Sequence, residues 1–278
     1  EETTALGKRL YENPYALPMG FLVPGEKAGD ALSREEAEEL LSGLQQEENP
    51  FLYQNRLYSI LLGRKVELYL PVEHTGTVTA SAADYAMDMP EGNYALYGNL
   101  EWSKNMEGTL LVNGEYETDY SCWLSPSVFY IPAVSGQKDI HVRLNAKNGI
   151  GIASDQFYVL DLDLLGEISA LLSEGMPEDL TVENGKVSCT VDGEDGEYLF
   201  LSVPYEEGWR ITNNNETIEP VPVDDCLMLL PLSGGENRIV LTYHVRGGRA
   251  GILGSVAGIL LMLFMAFLEK RQIKKEKI

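Results

Sequence analysis

The chain has 278 residues, 44% of them hydrophobic, and a formal net charge of −22 at pH 7. This hydrophobic content supports ordinary folded cores and excludes a mainly disordered chain, while the length favours two domains. The strong negative charge repels phosphate groups, which argues against a nucleic-acid partner. The chain begins at Glu1 without a Met or a signal peptide, so we expect further protein upstream.

Segment 1–63 is predicted to hold an extended stretch and two short helices. Ser33 followed by Glu36 forms a capping box ahead of the first helical run. Asn49 and the proline after it begin the second run, in which apolar residues recur at helical spacing until Gly63 ends it.

Segment 64–163 is predicted to be a β-sandwich domain. Short β-rich runs occur about every ten residues, separated by Gly, Asn, Asp and Pro. Residues 140–144 alternate between apolar and polar side chains, as a half-buried strand does. Asn113-Gly114 between apolar and aromatic flanks predicts a tight hairpin.

Segment 164–249 is predicted to be a helix followed by a smaller, membrane-proximal β-sandwich domain. A helical stripe of apolar residues runs from Leu162 to Gly175. In the last strand-like run, one face carries Ile239, Leu241, Tyr243 and Val245. The predicted fold class is mostly β: two antiparallel β-sandwich (jelly-roll-like) units with short helices and one C-terminal transmembrane helix.

Residues 250–268 are predicted to be the transmembrane helix. These 19 uncharged residues rise about 28 Å as a helix, close to the thickness of the hydrocarbon layer. Segment 269–278 holds five basic and two acidic residues, so the positive-inside rule predicts a cytoplasmic tail and extracytoplasmic β domains. Gly254 and Gly258 form a G-x-x-x-G pattern, which predicts packing against another helix.

Two motifs allow both a functional and a structural interpretation. Asp161 and Asp163 have the D-x-D spacing with which glycosyltransferases hold a metal and a sugar phosphate, but acids also suit the N-terminus of the helix that follows. Residues 230–234, LPLSG, resemble a sortase signal, but a well-patterned strand follows them. We favour the structural interpretation of each, and predict no metal, cofactor or catalytic site in this chain.

The cysteines Cys122, Cys189 and Cys226 lie too far apart for a zinc ribbon, and whether any two form a disulfide stays open. Strand-like neighbours predict Cys122 and Cys226 as buried core residues.

Aromatic residues are candidates for stacking against sugar rings, although in sandwiches they more often belong to the core. The candidate glycan-contacting residues are Trp102, Trp123, Tyr205 and Trp209.

Four stretches, in the same order, resemble the YfhO-like bacterial membrane proteins. They are YENPYALPMGF (11–21), NPFLYQNRLY (49–58), LFLSVPYEEGWR (199–210) and LPLSGGENRIVLTYHVRGGRAG (230–251). The P-Y-x-x-G-W element is the most specific of them. After it, the family tends to show an Asp-Gly hairpin where this chain has three asparagines, 213–215, which also tolerate a turn.

The resemblance implies a polytopic protein, similar to membrane glycosyltransferases that use lipid-phosphate-linked sugars and decorate envelope polymers such as teichoic acid. Its catalytic acid is expected in an early outer loop outside this chain. The expected function is therefore that of an extracytoplasmic accessory domain; the alternative is a noncatalytic glycan-binding or scaffold ectodomain. The expected partners are the lipid bilayer, upstream transmembrane helices of the same protein and a cell-envelope glycan polymer.

Overall fold

The computed structural model describes residues 2–3, 9–10, 13–23, 34–102, 107–121, 128–132, 134, 136–147 and 149–275. In chain order the elements are β1 (Glu2–Thr3), β2 (Arg9–Leu10), β3 (Gly20–Val23), α1 (Arg34–Leu44), α2 (Pro50–Leu62), β4 (Tyr69–Pro71), β5 (His74–Val78), β6 (Ala82–Met87), β7 (Tyr94–Trp102), β8 (Glu107–Val112), β9 (Glu115–Ser121), β10 (Val128–Ile131), β11 (Ile140–Ala146), β12 (Ile152–Asp161), α3 (Leu162–Glu174), β13 (Glu178–Glu183), β14 (Lys186–Gly193), β15 (Tyr198–Leu201), β16 (Trp209–Asn213), β17 (Glu216–Thr217), β18 (Val221–Val223), β19 (Leu227–Pro231), β20 (Gly235–Tyr243) and α4 (Gly248–Lys275). The predicted fold class, mostly β with antiparallel sheets and short helices, is confirmed.

The chain divides into two compact units. The first comprises Glu1–Met176 with Gly196–Phe200, and the second comprises Pro177–Asp195 with Leu201–Ile278. The domain boundaries predicted from the sequence stay a prediction.

The first unit contains a sandwich of two antiparallel sheets. One has the strand order β10-β7-β12-β4 and the other β5-β6-β11-β8-β9. Side chains from the inner faces of both sheets form one continuous core, in which Leu96 and Leu144 are fully buried. Period-two alternation produces this core because successive residues of a strand point to opposite faces.

Two local predictions in this sandwich are confirmed. Ile140, Val142 and Leu144 of β11 are buried while the residues between them are exposed. Asn113 and Gly114 join β8 to β9 with φ of 49° and 85°, the positive values that a tight hairpin turn of this type requires.

Helices α2 and α3 begin and end at the predicted signals. Asn49 caps α2 and Gly63 ends it in the left-handed conformation, with φ of 60°. Asp161 caps α3 by accepting a hydrogen bond from the backbone N–H of Leu164 at 2.9 Å. The D-x-D pair therefore starts a helix, as the structural interpretation predicted. The capping box at Ser33 lies outside the described residues.

The second unit is built on the sheet β13-β14-β20-β16-β17, and β18 pairs with β19. Asn237, fully buried in β20, accepts a hydrogen bond from the N–H of Ser233 at 3.0 Å and donates one to its carbonyl at 2.8 Å. Leu230 and Pro231 of the LPLSG peptide end β19, and its last residues connect β19 to β20, so the peptide is held within the fold between two strands. The Asn214-Asn215 turn between β16 and β17 has φ of 50° and 69°, so the hairpin is retained without glycine.

Two sequence predictions are wrong in detail. Cys226 is exposed, because Asp224 and Asp225 adopt positive φ and carry it into the turn between β18 and β19. Cys189 is buried, both are free thiols, and Cys122 lies outside the described residues. Val245 lies beyond the end of β20 and is 71% exposed. Helix α4, Gly248–Lys275, contains the predicted span 250–268.

Helix α4 contains one window that is long and apolar enough to cross a bilayer. This window, Ala250–Phe267, has a mean hydropathy of 2.3 and is not buried against any described part of the chain. A soluble core helix would be covered, so the exposure favours the membrane interpretation.

We predict that Gly98→Ala destabilises the first unit by about 1–3 kcal/mol. Gly98 lies opposite Phe129 across β7 and β10, and an added methyl would overlap the Phe129 ring. That ring is fixed in the core by edge-on contacts with Tyr120 and Phe157. Urea unfolding of the wild type and the variant measures the loss. If the overlap causes the loss, Phe129→Leu lowers the free energy of unfolding less in the Gly98→Ala background than in the wild type. Equal decreases would contradict this explanation.

Candidate functional site

A concave pocket of about 370 Å³ lies on the first unit, and we call it the tyrosine pocket. Its described lining comes from the N-terminal segment, α2, α3 and all four strands of the four-stranded sheet. The lining residues are Asn13, Tyr15, Gln54, Tyr58, Leu68, Tyr69, Tyr97, Tyr130, Leu160, Leu162 and Leu165.

The register of the sheet brings the strand tyrosines together. Tyr97 of β7 lies directly opposite Tyr130 of β10 on one side and Tyr158 of β12 on the other, and Tyr69 of β4 lies opposite Leu160. Directly paired residues point to the same face of a sheet. The tyrosines therefore share the outer face, turned away from the core that Leu96 and its neighbours form.

Helix α2 covers part of this outer face through Phe51. The Phe51 ring is 2% exposed and stacks on Tyr158, with ring centroids 4.5 Å apart. Asn55, one turn further along, accepts a hydrogen bond from the Tyr69 N–H and donates one to the Tyr69 carbonyl, both at 2.8 Å. These contacts fix α2 against β4, and they leave Gln54 and Tyr58 at the wall of the pocket.

The N-terminal segment supplies the remaining wall. Asn13 accepts a hydrogen bond from the Tyr15 N–H at 3.0 Å and its carbonyl accepts one from the Ala16 N–H at 3.2 Å, so the two residues form a turn. Asn and Asp side chains characteristically stabilise turns in this way.

Burial favours the neutral form of the tyrosines in the pocket. It raises the pKa of Tyr58, Tyr69 and Tyr97, and the nearby Tyr97 and Tyr58 raise that of Tyr69 as well. A phenol whose pKa lies above its usual value of about 10 stays protonated at neutral pH. Each of these hydroxyl groups therefore remains both a donor and an acceptor of hydrogen bonds.

The chemistry of the lining suits a neutral polyol. Aromatic faces can cover the apolar C–H face of a ring, while phenol and amide groups satisfy its hydroxyls. Among the described lining residues there is no charged side chain. The volume lies at the lower end of the range for small-molecule sites.

A larger, open cleft of about 770 Å³ also belongs to the first unit. Its rim mixes acidic side chains with Lys138, and its His74 is held by Asp155 at 3.2 Å. This mixture selects no ligand class. Within the described residues, no group of three or more His, Cys, Asp or Glu side chains is placed to hold a metal ion.

The four predicted glycan-contacting residues do not form this pocket. Trp102 ends β7 with its side chain outside the described part, and Trp123 lies outside the described residues altogether. Tyr205 and Trp209 both lie in the second unit and both are half-buried. Their glycan role stays a prediction.

The segment Pro204–Trp209 folds into a turn against β20, and we call it the Trp209 corner. The Trp209 indole N–H donates to the Pro204 carbonyl at 3.1 Å, and its ring meets the Tyr243 ring edge-on, with centroids 5.0 Å apart. The Gly208 carbonyl accepts the His244 N–H at 2.8 Å, and a Cβ at Gly208 would crowd the Tyr243 ring. Glycine is therefore required for this close approach.

Two acidic side chains of the Trp209 corner contact the residues that lead from the end of β20 to α4. Tyr243 donates its hydroxyl to Glu206, which raises the Tyr243 pKa, and Arg246 is bound by Glu207. These exposed contacts add little stability individually, but they attach the corner to both sides of the strand end.

Gly254 and Gly258 lie in α4 with open space where a Cβ would stand. The described chain offers them no partner helix, so their packing role also stays a prediction.

One known protein family matches most of the chain. The family model described as "Bacterial membrane protein YfhO" matches residues 5–255. The chain belongs to the YfhO family. Two of its YfhO-like stretches, 11–21 and 49–58, converge on the tyrosine pocket, and the third contains the Trp209 corner.

Solved structures resemble this YfhO-family chain only distantly. A β-glucuronidase from Ruminococcus gnavus is 10% identical, with a TM-score of 0.24, over 61% of this chain and 35% of the glucuronidase. A cycloisomaltooligosaccharide glucanotransferase from Paenibacillus sp. is 7% identical, with a TM-score of 0.18, over 62% and 44% of the two chains. The chain spans about a third of the length of the glucuronidase, and likeness at this level assigns it no activity. No curated protein matches the chain.

Sequence reasoning missed the tyrosine pocket. A weak signal was present, since Gln54 and Tyr58 are four residues apart after the predicted cap, and such residues share a helix face. The strand tyrosines could not be joined to them without the pairing register.

We predict that Asn49→Ala lowers stability by about 1–2 kcal/mol, because Asn49 caps the helix that forms the pocket wall. Its side chain accepts the N–H groups of Phe51 and Leu52 at 2.9 and 3.3 Å, and it donates to the Tyr158 hydroxyl at 3.0 Å. Thermal and urea unfolding measure the loss. Asn49→Asp retains the capping oxygen and should recover most of it; equal loss in both variants would contradict the capping role.

Proposed function

We propose that the chain is the extracytoplasmic accessory domain of a polytopic membrane protein resembling lipid-phosphate-sugar-dependent glycosyltransferases. In this proposal the tyrosine pocket holds a glycan of the cell-envelope polymer, such as teichoic acid, that the whole protein modifies. The carrying observation is the pocket itself: a tyrosine-lined cavity without a charged side chain among its described lining residues, to which two of the stretches that resemble the family contribute part of the wall.

The polar groups of the pocket support a binding role for this chain and not the transfer step. The pocket presents amides and phenols that are neutral at physiological pH, and burial raises the pKa of the Tyr58 and Tyr97 phenols further from neutrality, which suits binding and orientation. General acid–base chemistry needs a group that changes protonation near neutral pH. We therefore assign glycan positioning to this chain and the transfer step to the part of the protein upstream of it.

Charge asymmetry supports an outward orientation of the β units. The five basic residues of segment 269–278 favour the cytoplasmic side under the positive-inside rule. The net charge of −22 for the whole chain means that the remainder is strongly acidic. Acidic segments do not oppose export in this way.

We predict that Cys226 reacts with a membrane-impermeant maleimide on intact cells. Cys226 is an exposed free thiol of the second unit. Partial burial and the nearby Asp224 and Asp225 raise its pKa, so the labelling is best done at mildly alkaline pH. The test uses the full-length protein, with Cys122 and Cys189 replaced by alanine and any upstream cysteines removed.

Lys277→Cys in a background without Cys226 is the matched control for sidedness. Under the proposal, it reacts only after the cells are opened, whereas Cys226 reacts before. The reverse order would overturn the outward orientation and with it the proposed function.

We predict that the chain, reconstituted in lipid nanodiscs, binds teichoic acid that carries sugar substituents. Tyr130→Ala should weaken this binding about tenfold, since loss of one stacked ring costs on the order of 1.4 kcal/mol. Tyr116→Ala is the matched control, because Tyr116 is also an exposed strand tyrosine of the first unit, outside the pocket lining. Calorimetry measures both.

The outcomes separate the possible roles. Absence of polymer binding would overturn the proposal. Binding that Tyr130→Ala weakens, without any effect on sugar transfer by the full-length protein, would favour a noncatalytic glycan-binding ectodomain over an accessory domain of the enzyme.

A further inference from the structure

We infer that the tyrosine pocket recognises the uncharged sugar substituent of the polymer and not its phosphate backbone. This inference rests on the proposed function and specifies its ligand. It follows from three properties of the site: the absence of a cation in the described lining, the occupied N-terminus of α3, and one exposed aromatic platform.

An anion site needs a cation or free backbone N–H groups. Arginine, lysine and uncapped helix N-termini supply these in proteins. Neither lysine nor arginine occurs among the described lining residues. A phosphate in the pocket would thus lose its hydration without a compensating positive charge among the described lining residues.

The N-terminus of α3, beside the pocket, is already occupied. Leu162 and Leu165, in the first turn of α3, line the pocket, but the Asp161 carboxylate accepts the Leu164 N–H at 2.9 Å. Asp163 adds a second carboxylate in that turn, bound by the Asn93 side chain at 2.9 Å. These acids neutralise the positive end of the α3 dipole, and they would repel a second anion.

Tyr130 provides the platform for a sugar ring. It lies on β10, at the edge of its sheet, with 48% of its surface exposed. Its ring is supported from behind by Tyr97, with centroids 5.0 Å apart. A supported but exposed ring can stack on the apolar face of a pyranose at small conformational cost.

The volume sets the size of the ligand. About 370 Å³ lies at the lower end of the range for small-molecule sites, which suits a ligand of one or two sugar rings. A pocket of this size takes a substituent and leaves the polymer backbone outside. The acidic surface of the chain would keep that backbone at a distance.

Binding of the sugar means that the pocket recognises polymer that has already received a substituent. The reaction that supplies its ligand is therefore sugar transfer onto the polymer. Retention of a partly modified polymer would favour further transfer to the same molecule.

The test is a competition experiment with the chain in lipid nanodiscs, which avoids detergents with sugar headgroups. Sugar-substituted teichoic acid is bound first. Methyl hexopyranosides, the 6-phosphates of the same hexoses and glycerol phosphate are then added as competitors. We expect the neutral glycosides to displace the polymer at least tenfold more effectively than the charged competitors. Tyr130→Ala should weaken glycoside binding about tenfold, while Tyr116→Ala should leave glycoside binding unchanged.

Salt provides a second readout. Binding of a neutral glycoside should not change with ionic strength, whereas polymer affinity should rise several-fold as salt screens the repulsion between the acidic chain and the phosphates. A fall in polymer affinity with salt would overturn the inference, as would equal binding of unsubstituted poly(glycerol phosphate). In both cases polymer binding, and so the proposed function, would survive; failure of every polymer to bind would instead remove the proposed function.

Discussion

The first unit depends on the contact of Phe51 with the outer face of its four-stranded sheet. A sheet with one face in a sandwich core usually turns a polar face to water, but here that second face carries Tyr69, Tyr97, Tyr130 and Tyr158. Such a surface needs a cover, and α2 provides it by stacking Phe51 on Tyr158. The cover is incomplete, and the uncovered tyrosines become the wall of a pocket. The pocket therefore exists because α2 covers only part of the aromatic outer face of the sheet.

Local signals in the sequence predict most of the elements but not the site. The caps at Asn49 and Gly63, the Asn113-Gly114 turn and the alternation in β11 all act within a few residues, so they can be read without knowing the fold. The same holds for the LPLSG peptide, where the strand that follows it was the deciding signal. The tyrosine pocket depends on the pairing of Tyr69, Tyr97 and Tyr130, which are far apart in the chain. No local pattern encodes that register.

The error at Cys226 has a local cause. Cys226 looked buried because its apolar neighbours resemble a strand, but Asp224 and Asp225 turn the chain there. The candidate tryptophans were chosen by residue type alone; Trp209 packs the corner beside β20, and its glycan role stays a prediction. Residue type identifies which side chains can stack on a sugar; only the fold decides which of them are left exposed to do so.

The short passage between β20 and α4 sets a limit on movement. Four residues, 244–247, separate the strand from the helix, and fully extended they reach only about 14 Å. The Trp209 corner shortens this passage further by holding His244 and Arg246. A connection of this length keeps the sheet that contains β20 close to the headgroup region of any bilayer that α4 enters. Anything this sheet carries would therefore meet a surface-bound polymer by two-dimensional search along the membrane, not by diffusion through the surrounding medium.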